Sequence, residues 1–190
     1  GLGAANIDSQ DGQWTFHFMK CPECGRLVIR GQRSGHPPLT LYPRTHGRNP
    51  VPPEVPPEFA ADYTEACLVL QDSQKASAAL SRRSIQHMIR DRLGIMKATL
   101  HLEIEEAVSQ VPSYLAGQLH AVREIGNFAA PPTKSQNPGE IVEVEPGEAE
   151  WCLDVVEGMF DHCFVKPAQT EARKVALNEK LRAAGKREVQ

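Results

Sequence analysis

Between His36 and Pro57 prolines stand at positions 37, 38, 43, 50, 52, 53, 56 and 57. Each lacks an amide donor and locks its own φ near −65°, so a stretch this dense can be neither a helix nor a central strand. It predicts an extended, semi-rigid strap over 37–57. The strap divides the chain into an amino-terminal module, 1–36, and a longer carboxy-terminal part, 58–190, and the two carry different hydrophobic periods.

In the first part residues 14 to 30 alternate with a period of two. Trp14, Phe16 and Phe18 fall on one face and Thr15, His17 and Met19 on the other, and after an interruption the pattern resumes at Leu27, Val28 and Ile29. The interruption is CPECG, so the expectation is a short β-hairpin built on a cysteine knuckle. Cys21 and Cys24 have the spacing with which two thiolates reach one tetrahedral Zn2+, and Gly25 permits the tight return. Two thiolates are half of a structural site. His17 and His36 are the nearby residues able to complete it, and the alternative is a knuckle whose partner pair lies elsewhere. No strand-helix pattern of the thioredoxin kind follows the pair, which argues against a redox role. About thirty residues around one knuckle cannot bury a core of their own, so the module is expected to pack on the helices.

From Glu58 onward the period changes to three and four. Phe59, Tyr63, Ala66, Cys67 and Leu70 predict a first helix of about four turns. Ser73 is placed to cap a second, running through KASAALSRRSIQHMIRDRL and closed by Gly94. A third covers Ala98 to Gln110. Pro112 breaks the chain, Ser113 caps, and a fourth runs from Tyr114 to Ala130, stopped by Pro131 and Pro132. The polar stretch 133–147 reads as a loop. Glu148 to Val165 forms a fifth helix with Trp151, Cys152, Val155, Val156, Met159 and Cys163 on its apolar face, and beyond Pro167 lies a sixth, mostly polar helix. The fold class is therefore mainly α, a bundle of five to six helices with a small amino-terminal β-hairpin and zinc-knuckle module.

Composition excludes several functions. A net charge of −3 gives no global attraction to nucleic acid or anionic lipid, so binding to either needs a local patch. No apolar run approaches the ~20 residues that span a bilayer, and GLGAANIDSQ lacks the order of a signal peptide. The expected location is the cytoplasm, with no membrane partner. Cys67, Cys152 and Cys163 sit within apolar helical pattern, as reduced intracellular thiols do. Gly1 is not an initiator Met, and residues upstream of it are expected.

The candidate binding site is polar. On the second helix Arg83, His87 and Arg90 share one face, in line with the small residues Ala76, Ala79 and Leu80. On the fourth, His120, Arg123 and Asn127 lie beside an apolar stripe of Leu115, Leu119, Val122 and Gly126. Packing of these two helices would join both polar stripes at one seam, as an anion site or as structural hydrogen bonds, with Glu65 or Glu124 available to compensate charge.

Taken in order, CPECG, Leu41-Tyr42-Pro43, VPPEVPPEF, a helix with Tyr63, Glu65 and Ala66, Arg82-Arg83 and the run from Arg123 to Asn127 resemble the bacterial domain of unknown function 4145, over roughly Cys21 to Pro167. That family is similar to the HEPN superfamily of helical bundles, found beside restriction and phage-defence proteins. Many HEPN members are metal-independent ribonucleases acting as dimers. Active ones carry Arg-Asn, three residues, then His; Arg can stabilise the scissile phosphate and His can move the ribose proton. Aligned on Asn127, this chain has Gly126 and Pro131 at those two positions. The resemblance thus implies a homodimeric, non-catalytic binding module of a defence or nucleic-acid-processing system, with a protein or RNA/DNA partner. The alternative is a ribonuclease or toxin with a rearranged site.

Overall fold

The computed structural model describes residues 3–44, 46–129 and 147–189, the side chains of 124–129 excepted. The chain divides into two compact units between Arg48 and Asn49. The strap is shared between them, its first half contributing a strand to one unit and its second half leading into the helices of the other.

The first unit is an antiparallel sheet in the order β1-β2-β3-β4: β1 (Gly3–Ser9), β2 (Gly12–Lys20), β3 (Leu27–Arg33) and β4 (Leu39–Tyr42). The expected hairpin is its centre, β2 and β3, with Phe18 opposite Ile29 and Trp14 opposite Arg33. Two strands were added at its edges. All of β1 is exposed, so it has no reason to alternate; its backbone ladder, with Ser9 opposite Gly12, ties it to β2. At the turn between them Gly12 adopts φ 111°, a conformation that favours glycine. β4 lies between Pro38 and Pro43 at the other edge, where one side of the strand needs no amide donors and flanking proline is tolerated.

In the second unit Pro57 occupies the first turn of α1 (Pro57–Val69), where a missing amide costs nothing. Ser73 caps α2 (Gln74–Arg92), its hydroxyl accepting from the Ala76 amide at 3.2 Å, and Gly94 follows the helix at φ 69°. α3 is shorter than expected (Leu100–Ala107), because Thr99 caps it and accepts from the Leu102 amide. α4 spans Ser113–Ala129, and residues 130–146 lie outside the described part. After it comes α5 (Glu148–Phe160), which does not stop at Pro167 as expected. A π-helical turn over Asp161–Val165 carries it into α6 (Lys166–Ala183) without a loop. A widened turn just before the proline accommodates the amide that Pro167 lacks and the room its ring needs.

The core lies in this unit. Ile85, Met88 and Ile89 of α2, Leu115, Leu119 and Val122 of α4, and Cys152, Val156, Met159 and Phe160 of α5 are buried. Tyr63 meets Phe160 edge to face at 5.4 Å between centroids, and Phe59 meets Phe164 at 5.0 Å. Two expected faces change. Trp151 is 40% exposed rather than part of the core, and on α2 the small residues turned inward are Ser77, Ala78, Ser81 and Ser84, not Ala79, which is exposed. α2 packs mainly on α1 and α5, while α4 packs on α5 and α3, so the expected α2–α4 seam is largely occupied by α5. The close approach of α4 and α5 is made by Gly158, where an added Cβ would lie 3.1 Å from Leu115 Cδ1.

Candidate functional site

Three arginines on α2 point to three different helices. Arg83 binds both carboxylate oxygens of Asp62 on α1, with Glu65 adding to the same field, and this raises the guanidinium further above neutrality. Arg82, partly buried, donates to the Val122 carbonyl of α4; burial lowers its pKa without bringing it near neutrality. Arg90 donates through Nε to Glu103 Oε1 at 2.6 Å. That carboxylate, on α3, is fully buried. Gln86 Nε2 reaches its other oxygen at 2.7 Å, and the Lys97 amide donates to Oε1 at 3.2 Å. Burial pushes the Glu103 carboxyl up, but these hydrogen bonds outweigh it and hold the group below the ordinary carboxylate value. A buried charge with three donors is the condition under which such a group is tolerated.

Of the residues singled out from sequence, Arg83 turns to α1 and Arg90 to α3. His87 stacks on Phe59 at 4.3 Å. On α4, His120 is exposed and Arg123 half-buried. Gly126 belongs to the α4 backbone; the side chain of Asn127 and all of Pro131 lie outside the described residues.

A second polar cluster closes the far side of the core. The Tyr63 hydroxyl lies 2.7 Å from Glu157 Oε1 and 2.8 Å from the Asn49 carbonyl, and Asn49 Nδ2 donates to Glu157 Oε2 at 2.8 Å. Burial first, then the bond to Glu157, push the phenol well above its ordinary value, so it stays protonated and serves as a donor. With Pro50, Pro52 and Phe160 these residues line a cleft of about 210 Å³. Sites that enclose drug-sized ligands run from about 300 Å³ upward, so this cleft is smaller than those. Sequence reading missed this cluster because Asn49 and Glu157 are remote from Tyr63 along the chain. The only local signal was Tyr63 itself.

At the knuckle, the Gly25 amide donates to the Cys21 carbonyl at 2.9 Å and Gly25 takes φ 70°. Amides of Cys24 and Glu23 hold the Cys21 thiol below its ordinary value, which favours the metal-binding thiolate. The two histidines do not join it. His36 lies against the Arg33 guanidinium, and His17 stands on β2 opposite Ala4 and Arg30. Among the described residues no three His, Cys, Asp or Glu side chains come together as metal ligands. The pair fits half of a zinc site. In the helical unit burial pushes the Cys152 and Cys163 thiols up to about 11, so neither is a nucleophile at neutral pH.

A family model described as Domain of unknown function (DUF4145) matches residues 64–183, from within α1 to the end of α6. The chain belongs to this family. The match covers most of the helical unit and leaves out the knuckle and the proline strap, which the sequence resemblance, over roughly Cys21 to Pro167, had included. No curated protein and no solved structure matches. Among the described residues no helix of this family member is long and apolar enough to cross a membrane.

Proposed function

We propose that this chain is a non-catalytic, HEPN-like interaction module of a bacterial phage-defence or nucleic-acid-processing system, working in the cytoplasm as a homodimer with a protein or RNA/DNA partner. The observation that carries the reading is that the arginines best suited to hold a phosphate are engaged within the bundle: Arg83 by Asp62, Arg90 by Glu103 and Arg82 by the Val122 carbonyl. Gly126 and Pro131 at the HEPN-type positions agree with it, since neither has a group that can move a proton. Incubating the purified chain with mixed RNA tests the reading. No cleavage is expected. Cleavage that disappears in Arg123→Ala would overturn it in favour of a ribonuclease or toxin using Arg83, His87, His120 and Arg123.

For the knuckle, Zn2+ is the proposed cofactor, with Cys21 and Cys24 as two of its four ligands. Purified chain should carry zinc that Cys24→Ser loses; equal metal content in both would remove the assignment.

A further inference from the structure

Charge is divided unevenly between the two units. Residues 1–48 hold Lys20, Arg26, Arg30, Arg33, Arg44 and Arg48 against Asp8, Asp11 and Glu23, a net +3 in a chain whose total is −3, which leaves −6 to residues 49–190. The cations differ in their engagement as well. On α2, Arg82, Arg83 and Arg90 are each taken up by another helix of the bundle. In the sheet, Lys20, Arg26 and Arg30 form no ion pair among the described residues, and Arg33 lies against the His36 ring and not a carboxylate.

One face of the sheet is built from rings. Trp14, Phe16 and Phe18 stand at alternate positions of β2, half-buried and about 6.8 Å apart along the strand. The Trp14 and Phe16 rings lie within 12° of parallel, with centroids 5.9 Å apart. Cross-strand partners share a face, so Ile7 opposite Trp14, and Tyr42 opposite Ile29 beside Phe18, extend it on both sides. Ile7 and Tyr42 are each 53% exposed. Gly31, opposite Phe16, makes room for this surface: an added Cβ would lie 3.3 Å from Phe16 Cε1 and 3.0 Å from Leu41 Cδ1. Lys20 stands at one end of the row and Arg33, opposite Trp14, at the other, while Asp8, opposite Gln13, falls on the reverse face. An apolar protein surface would meet the rings and leave these cations without counter-charge. A phosphate backbone with free base faces meets both. Bases within a duplex are stacked on one another, so ring stacking selects a single strand.

We propose that this face of the sheet binds single-stranded nucleic acid, its bases stacking on the row from Trp14 to Phe18 and on Tyr42, with Lys20 and Arg33 on the phosphates. The proposal rests on the interaction-module reading and narrows its choice of a protein or nucleic-acid partner to one. It also places that partner on the unit that lies outside the family match, residues 64–183. Single strands of RNA and of DNA share the required chemistry.

Titration of the full chain with labelled oligo(U) and oligo(dT) of about 12 nucleotides, within the site size of such platforms, tests it. The parent should bind single strands, less tightly as salt rises, and should bind a duplex of the same length more weakly. Tighter oligo(U) would identify RNA as the partner through its 2′-hydroxyl, and equal binding would identify single strands of either kind. Trp14→Leu, which keeps an apolar contact and removes the ring, should weaken binding about fivefold or more, and Trp14→Phe should restore most of it. Lys20→Gln/Arg33→Gln should flatten the slope of log affinity against log salt by about 1.4. That variant leaves the rings in place, so it reads the proposal even where Trp14→Leu disturbs the sheet. A parent that binds neither single strand, whether or not the face takes a protein, overturns the proposal. So does a preference for the duplex, or binding that both Trp14→Leu and Lys20→Gln/Arg33→Gln leave unchanged. Absent binding with absent cleavage removes this proposal alone, whereas RNA cleavage lost in Arg123→Ala overturns the interaction-module reading, so the two failures are distinguishable.

Discussion

Glu103 shows how one residue can decide the placement of three segments. Its carboxylate is fully buried and takes hydrogen bonds from α2 through Gln86 and Arg90 and from the α2–α3 connection through the Lys97 amide. Breaking a buried pair by removing one partner costs about 3–5 kcal/mol, and the 39% exposure of Arg90 lets water relieve part of that. Glu103→Gln, which keeps the shape but turns an amide donor toward a guanidinium, is expected to destabilise by about 2–3 kcal/mol at pH 7. The folded-state pKa of Glu103 is depressed, so its stabilisation is present above the unfolded value of about 4.3 and is lost as pH falls through the lower folded value. Chemical denaturation of parent and variant should therefore give stabilities that begin to converge as pH falls below the unfolded value of about 4.3. A gap that stays constant with pH would show that the charge is not what stabilises. The signal was present in the sequence, since Leu100, Glu103, Ile104 and Ala107 follow the spacing of one inward face.

At the scale of elements, legibility follows burial and capping. α1 and α2 could be read because each has a periodic apolar face and a chemically marked start, Pro57 in one and Ser73 in the other. β1 could not, because a fully exposed edge strand held by backbone hydrogen bonds imposes no pattern on its side chains. The continuity of α5 and α6 was hidden by Pro167, whose ordinary effect is to end a helix; the π turn ahead of it reverses that inference. Partner choice was the least legible feature. Which helix each arginine reaches depends on how neighbours pack, and the packing of α5 between α2 and α4 gave Arg83 to Asp62 and Arg90 to Glu103. Gly158 helps set that arrangement, since a side chain there would press on the tip of Leu115.

For the whole molecule, the helical unit holds every buried hydrophobic side chain in the described core, from Val55 to Phe164, and the family match over residues 64–183 lies within it. Its buried carboxylate, Glu103, is satisfied by other parts of the same bundle, as are Arg82 through the Val122 carbonyl and Arg83 through Asp62. Arg82 makes that claim testable because it joins α2 to α4 through the Val122 carbonyl. If the arginines are structural, Arg82→Ala should cost about 1–3 kcal/mol, a hydrogen bond to a charged group, and leave any RNA affinity and its salt dependence unchanged. The most direct measurement is thermal unfolding of Arg82→Ala and parent beside RNA binding titrated against salt. A lower melting temperature with identical binding is the predicted result. An unchanged melting temperature with a lost or flattened salt dependence would mean that these arginines hold a phosphate backbone, contradicting the account.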